Sequence, residues 1–210
     1  MIKKGIRLLF LAALWCLCFH GLREATYYSL ESLKYYTNLS NALVLVMLSA
    51  QIVLCLINLR RAEPLCIPAV LKGGVVTAIL ITFLTYWSVL NNFLPPNSFH
   101  DATVHYLVPL LTLAEFLLFE PHGRLRLWHP LAWLTPPVAY YGFVVVMRLN
   151  DQYFDGKEYP YFFMDINAEG WQLVLTVSLA LLAAFLICGY LLWLTDRLLG
   201  RLKITKREGI

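Results

Sequence analysis

A hydroxyl and an imidazole, each at the polar start of an apolar run, are the pair in this sequence best placed to do chemistry. Thr37 lies in Lys34-Tyr35-Tyr36-Thr37-Asn38-Leu39-Ser40-Asn41, and its spacing to Ser40 and Asn41 puts the three on one helix face. His105 lies in Asp101-Ala102-Thr103-Val104-His105, with Pro109 four residues on. As a neutral imidazole His105 is a general base, and a threonine hydroxyl beside it becomes a nucleophile. Helix-start amides, with Asn38, Ser40 or Asn41, are candidates to stabilise an oxyanion, and Asp165 or Asp101 to orient the imidazole as a third member. Pro109 cannot donate to the carbonyl of His105 and pushes against it, which loosens the helix and leaves an acceptor unpaired there. Each residue also has a plain structural reading: Thr37 is a suitable N-cap for a helix starting at residue 38, and His105 bonds a loop carboxylate.

Other chemistry is weighed by position. Glu115 lies ten residues after His105, about 15 Å deeper along the helix, where Lys72 begins another apolar run. A structural Glu115–Lys72 pair is expected in preference to a proton-relay carboxylate, which would want further ionisable groups at mid-membrane. Haem ligation by His20 and His105 fits poorly, because His100, His122 and His129 fall in loops. Four of the five cysteines sit in apolar runs and Cys66 in a turn, so free thiols are expected and no disulfide. The expected chemistry needs no metal and no organic cofactor.

The elements that must position these groups follow from composition. The chain has 210 residues, 60% hydrophobic and 14% charged, with a mean hydropathy of +0.64. Soluble domains carry about a quarter charged residues, so an ordinary soluble enzyme and a disordered chain are both excluded. No Asp, Glu, Lys or Arg lies between Lys34 and Arg60, Lys72 and Asp101, Arg126 and Arg148, or Glu169 and Asp196. Each run is long enough to cross a bilayer, which takes roughly 20 apolar residues. The runs 8–22 and 102–119 complete a set of six, predicted at about 6–22, 38–59, 68–90, 103–119, 130–148 and 171–195. The first has basic residues before it like a signal peptide, yet His20-Gly21-Leu22-Arg23-Glu24 is no cleavage site, so it is read as a retained helix. The expected fold is one all-α integral membrane domain over residues 1–210.

Six spans put both termini on one side. The N-terminus, the 60–72 and 120–129 turns and the C-terminal tail hold 13 of the 17 Lys and Arg; Arg23, Lys34, Arg148 and Lys157 are the others. The positive-inside rule then places the termini in the cytoplasm, and all three polar clusters (Thr37, His105 and the loop carboxylates at Asp151, Asp155, Asp165 and Glu169) at the outer face. Basic charge spread over four segments with no reading motif argues against nucleic acid as a partner. The outward loop 149–170 is aromatic, with Tyr153, Phe154, Tyr159, Tyr161, Phe162 and Phe163, and is expected to cap the bundle at headgroup level.

Tyr35-Tyr36-Thr37-x-x-Ser40-Asn41, His105-x-x-x-Pro109 and Tyr159-Pro160-Tyr161 followed by Asp165 resemble, in that order, bacterial predicted six-transmembrane proteins related to the animal androgen-induced-gene family of membrane hydrolases. The resemblance covers the chain from the second span to the sixth. It departs at Glu115-Phe116, where bacterial members tend to carry Asp-Trp. In the animal relatives a Thr and a His in the corresponding regions hydrolyse fatty-acid esters of hydroxy fatty acids. The resemblance thus implies Thr37 as nucleophile, His105 as base, a lipid ester as substrate, membrane lipids as partners and the bacterial inner membrane as location. The runner-up is a lipid-binding or small-molecule transport protein without catalysis.

Overall fold

In a computed structural model, residues 2–27, 29–59, 61 and 65–207 are described. Six helices are long and apolar enough to cross a membrane: Lys3–Thr26, Tyr36–Asn58, Ala69–Leu90, Phe99–Phe119, His129–Leu149 and Ile166–Leu202, called α1 to α6. They match the six predicted runs, and no strand occurs among the described residues. The ends differ. α6 starts at Ile166, five residues early, because Asp165 accepts from the amides of Asn167 and Ala168, and a break follows at Gly170, whose φ of +77° suits a residue without Cβ. Arg60, Lys203, Lys206 and Arg207, counted in the charge asymmetry, lie outside the residues or side chains described.

Two apolar clusters hold the bundle. Leu11, Leu14, Cys18, Val44, Leu48 and Val108 join α1, α2 and α4, and each is almost wholly buried. Val76, Phe116, Trp133, Phe185 and Leu192 join α3, α4 and α6 to the start of α5. Trp133 is seated by glycine: a Cβ on Gly73 would fall 2.3 Å from its ring. Its indole N–H donates to the Val70 carbonyl at 2.7 Å, so the ring's one polar atom is satisfied. A third cluster, with Phe154, Phe163 and Met164 buried against Tyr140 and Val144, folds the 149–170 loop over one end of the bundle.

At the opposite end lies an ion cluster. Lys72 and Glu115 pair as expected, almost wholly buried. Three more groups join them: Arg7 reaches Glu115 at 2.9 Å and also Glu120, and Gln51 donates to Glu115 at 3.1 Å and Glu120 at 2.9 Å. Lys72 also donates to Gln51 at 2.9 Å. Two cations face two carboxylates, which is how a membrane interior tolerates ionised groups. Cys16, Cys18, Cys55 and Cys188 carry free thiols.

Candidate functional site

The first turn of α2 departs from expectation. The helix begins at Tyr36 with Tyr35 as its cap residue, and Tyr35 makes no side-chain cap bond. Thr37 is therefore inside the helix and is not its N-cap. The free amide of Thr37 finds an acceptor elsewhere: it donates to the hydroxyl of Tyr161, 3.4 Å away in the aromatic loop. That hydroxyl also contacts the Thr37 side chain and the Tyr140 hydroxyl. Tyr140 in turn donates to the Lys34 carbonyl at 3.1 Å. Burial pushes the Tyr161 hydroxyl above the ordinary tyrosine range, and burial with the nearby Asp155 pushes Tyr35 up to about 12, so both are neutral donors and acceptors at neutral pH.

The three polar residues around Thr37 are committed to the fold. Asn38 donates to the Ser32 carbonyl at 2.8 Å. Ser40 donates to the Thr37 carbonyl at 2.9 Å and meets Thr82 at 2.7 Å, which ties α2 to α3. Asn41 donates to the Thr37 carbonyl at 2.8 Å and to the Val104 carbonyl at 3.1 Å. This last bond answers the proline. Residues Thr103–Leu107 form a π-turn, in which the amide of Val108 reaches back five residues to Thr103. The same reach puts Pro109 opposite the Val104 carbonyl, where no N–H exists, and the Asn41 amide takes its place. The orphaned acceptor is thus Val104, not His105 as the four-residue spacing predicted.

His105 sits within this π-turn, its side chain 12% exposed. Its Nδ1 lies 3.3 Å from the Asp101 carbonyl and 4.0 Å from the Asp101 carboxylate. Both are acceptors, so Nδ1 carries the proton and Nε2 the lone pair. Of the two candidate orienting acids, Asp101 is at the imidazole and Asp165 is occupied as the α6 cap. One face of the imidazole is covered by Tyr86, whose ring stacks on it with centroids 3.6 Å apart. Tyr86 belongs to a second π-turn, Tyr86–Leu90, and its hydroxyl contacts the Asp101 carboxylate.

Thr37 and Tyr86 line the same cavity, of about 820 Å³, formed by the first turn of α2, α3, α5, α6 and the aromatic loop. Its wall is mostly apolar, and runs from Trp171 to Phe185 on α6, about 20 Å along the helix axis. Thr37, Tyr36, Tyr161 and Arg148 line the end beneath the aromatic loop, and Thr82, Tyr141 and Ser178 line the wall further along. His105 is not part of the wall, and among the described residues no hydrogen bond joins it to Thr37. Between α5 and α6 the cavity is flanked by half-exposed Val138, Val145, Leu175 and Leu179, and Tyr141 bridges to Ser178 at 2.7 Å. Sequence reading missed Tyr86, Tyr140 and Tyr161 as site groups. Tyr161 lay within a quoted motif, yet an aromatic loop of a membrane protein reads first as an interfacial belt.

Among the described residues, no group of three His, Cys, Asp or Glu converges as metal ligands. Compared with known protein families, curated proteins and solved structures, the chain matches none.

Proposed function

We propose that the protein binds a membrane lipid by its acyl chain and hydrolyses an ester of that lipid at Thr37. The observation that carries this reading is the placement of the Thr37 hydroxyl at the polar end of a long apolar cavity. The cavity's length of about 20 Å exceeds one bilayer leaflet, roughly 15 Å of hydrocarbon. In this reading an acyl chain fills the cavity and its ester rests beside Thr37. The hydroxyl loses its proton to Nε2 of His105 as its oxygen attacks the ester carbon, and the leaving alcohol takes that proton back. Water then releases the acid from the acyl-enzyme. Tyr86 covers one face of the imidazole and holds it in place, so a bridging water carries the first proton from Thr37 to Nε2 of His105. With the donors of Asn38, Ser40 and Asn41 already engaged, the Tyr161 hydroxyl and the α2 amides are the nearer groups for an oxyanion.

An acyl fluorophosphonate should label the wild type and fail to label Thr37→Ala, with Thr37→Ala and His105→Ala losing esterase activity to a similar, non-additive extent. Full esterase activity in Thr37→Ala sinks the mechanism. A second reading, lipid binding without catalysis, is favoured by the Tyr86 ring over His105. Lipid binding that persists in Thr37→Ala, with no labelling of the wild type, selects it.

The reading includes an orientation, both termini in the cytoplasm, from the excess of Lys and Arg on that side, and the location that the resemblance implies, a bacterial inner membrane. Reporter fusions at Asn97 and Gly156 should both report the outside, and one at Gly209, which lies outside the described residues, the cytoplasm. A cytoplasmic signal from Gly156 overturns the topology.

A further inference from the structure

One charged side chain, Arg148 near the end of α5, lines the 820 Å³ cavity among the described residues. Its surroundings leave it underused. Nη2 faces Glu158 at 3.3 Å, the Tyr159 hydroxyl contacts the guanidinium, and the rings of Tyr153 and Tyr159 lie 5.5 and 5.6 Å from the guanidinium carbon. Nε and Nη1 are shut off from solvent and have no hydrogen-bond partner. An arginine has five N–H donors and cannot discharge them by losing a proton, so buried donors without a protein partner favour an acceptor brought by a ligand. Two aromatic rings fix the planar head, which lowers the entropy lost when it binds a ligand. Lys34, a second cation at this end, is already paired with Glu31 and the Tyr153 carbonyl.

We propose that Arg148 selects the ligand's head group, and that the cavity takes a lipid carrying an anionic oxygen group, carboxylate or phosphate, near its polar end. The proposal rests on the reading of the cavity as an acyl-chain site. The apolar wall holds the chain, and the unmet N–H groups of Arg148 take the anion, a pairing in which arginine forms strong charge-assisted bonds. Glu158 competes with the ligand for the same guanidinium, so its carboxylate sets how tightly the anion is held.

The test uses the full chain in a neutral detergent, with oleate, dioleoyl phosphatidate and methyl oleate as probes. Wild type should bind at least one anionic probe about tenfold more tightly than methyl oleate. Arg148→Gln should remove that preference while still binding methyl oleate, and an unfolding midpoint close to that of wild type shows that the variant is folded. The probe whose preference is lost identifies carboxylate or phosphate. Glu158→Gln should strengthen the anionic probe, and this variant decides the matter if Arg148→Gln loses all binding. A preference that survives in Arg148→Gln, or an unchanged anionic affinity in Glu158→Gln, overturns the proposal. Equal binding of all three probes by wild type overturns it while the acyl-chain reading stands; no binding of any probe overturns both.

Discussion

The imidazole of His105 lies flat on the phenol ring of Tyr86, the two planes 14° from parallel. Each ring comes from a π-turn, one in α3 and one in α4. A widened turn rotates the residues beyond it relative to a regular helix, and here two such turns bring two side chains into one stack. If His105 is the base for Thr37, Tyr86 is its positioning residue. Tyr86→Phe keeps the stack and should leave esterase kcat within about threefold. Tyr86→Leu frees the imidazole and should lower kcat by about tenfold, with KM little changed. Steady-state kinetics on a soluble ester checks both. Equal loss in the two variants would assign the effect to the Tyr86 hydroxyl and its contact with Asp101.

Asn41 and Pro109 should be coupled. Replacing Asn41 by Leu leaves the Val104 carbonyl without a donor in the bilayer interior, a loss of about 1–3 kcal/mol. In a Pro109→Ala background residue 109 regains an N–H, and the same Asn41 replacement should cost about 1 kcal/mol less. Equilibrium unfolding in bicelles measures the cycle. Strict additivity would show that the two do not serve the same carbonyl.

The ion cluster should resist single changes and tolerate paired ones. Glu115→Leu leaves Lys72 buried and short of a carboxylate, with an expected loss of about 3–5 kcal/mol. Adding Lys72→Met removes the uncompensated charge and should recover at least half of that loss. The same unfolding assay reads it, and a double variant no better than Glu115→Leu alone would place the cost in Arg7 instead.

How far the sequence reaches depends on the range of the interaction. Membrane spans are set by long apolar runs, a local property, so all six are visible in the bare string, four of them as long runs free of charge. The Lys72–Glu115 pair is visible too, because helix rise converts residue number into depth. The start of α2 is not. It depends on a hydroxyl from Tyr161, 124 residues away in sequence, and no local rule of capping includes such a partner. The π-turns escape for a related reason: proline shows that a helix is disturbed but not which hydrogen-bond reach replaces the regular one. Thr37 and His105 were picked out by type and depth, and the structure stacks His105 on Tyr86 and sets Thr37 against Tyr161, an arrangement that neither type nor depth encodes.

The gap between α5 and α6, spanned by the Tyr141–Ser178 bond, has a consequence for how occupancy is counted. A ligand entering there comes sideways from the bilayer, having never been dissolved in water. Its supply is set by its mole fraction among neighbouring lipids, so adding inert lipid thins it out while the amount per litre stays the same. For such a site, saturation is a property of membrane composition, and a dissociation constant in molar units describes the vesicle preparation as much as the protein.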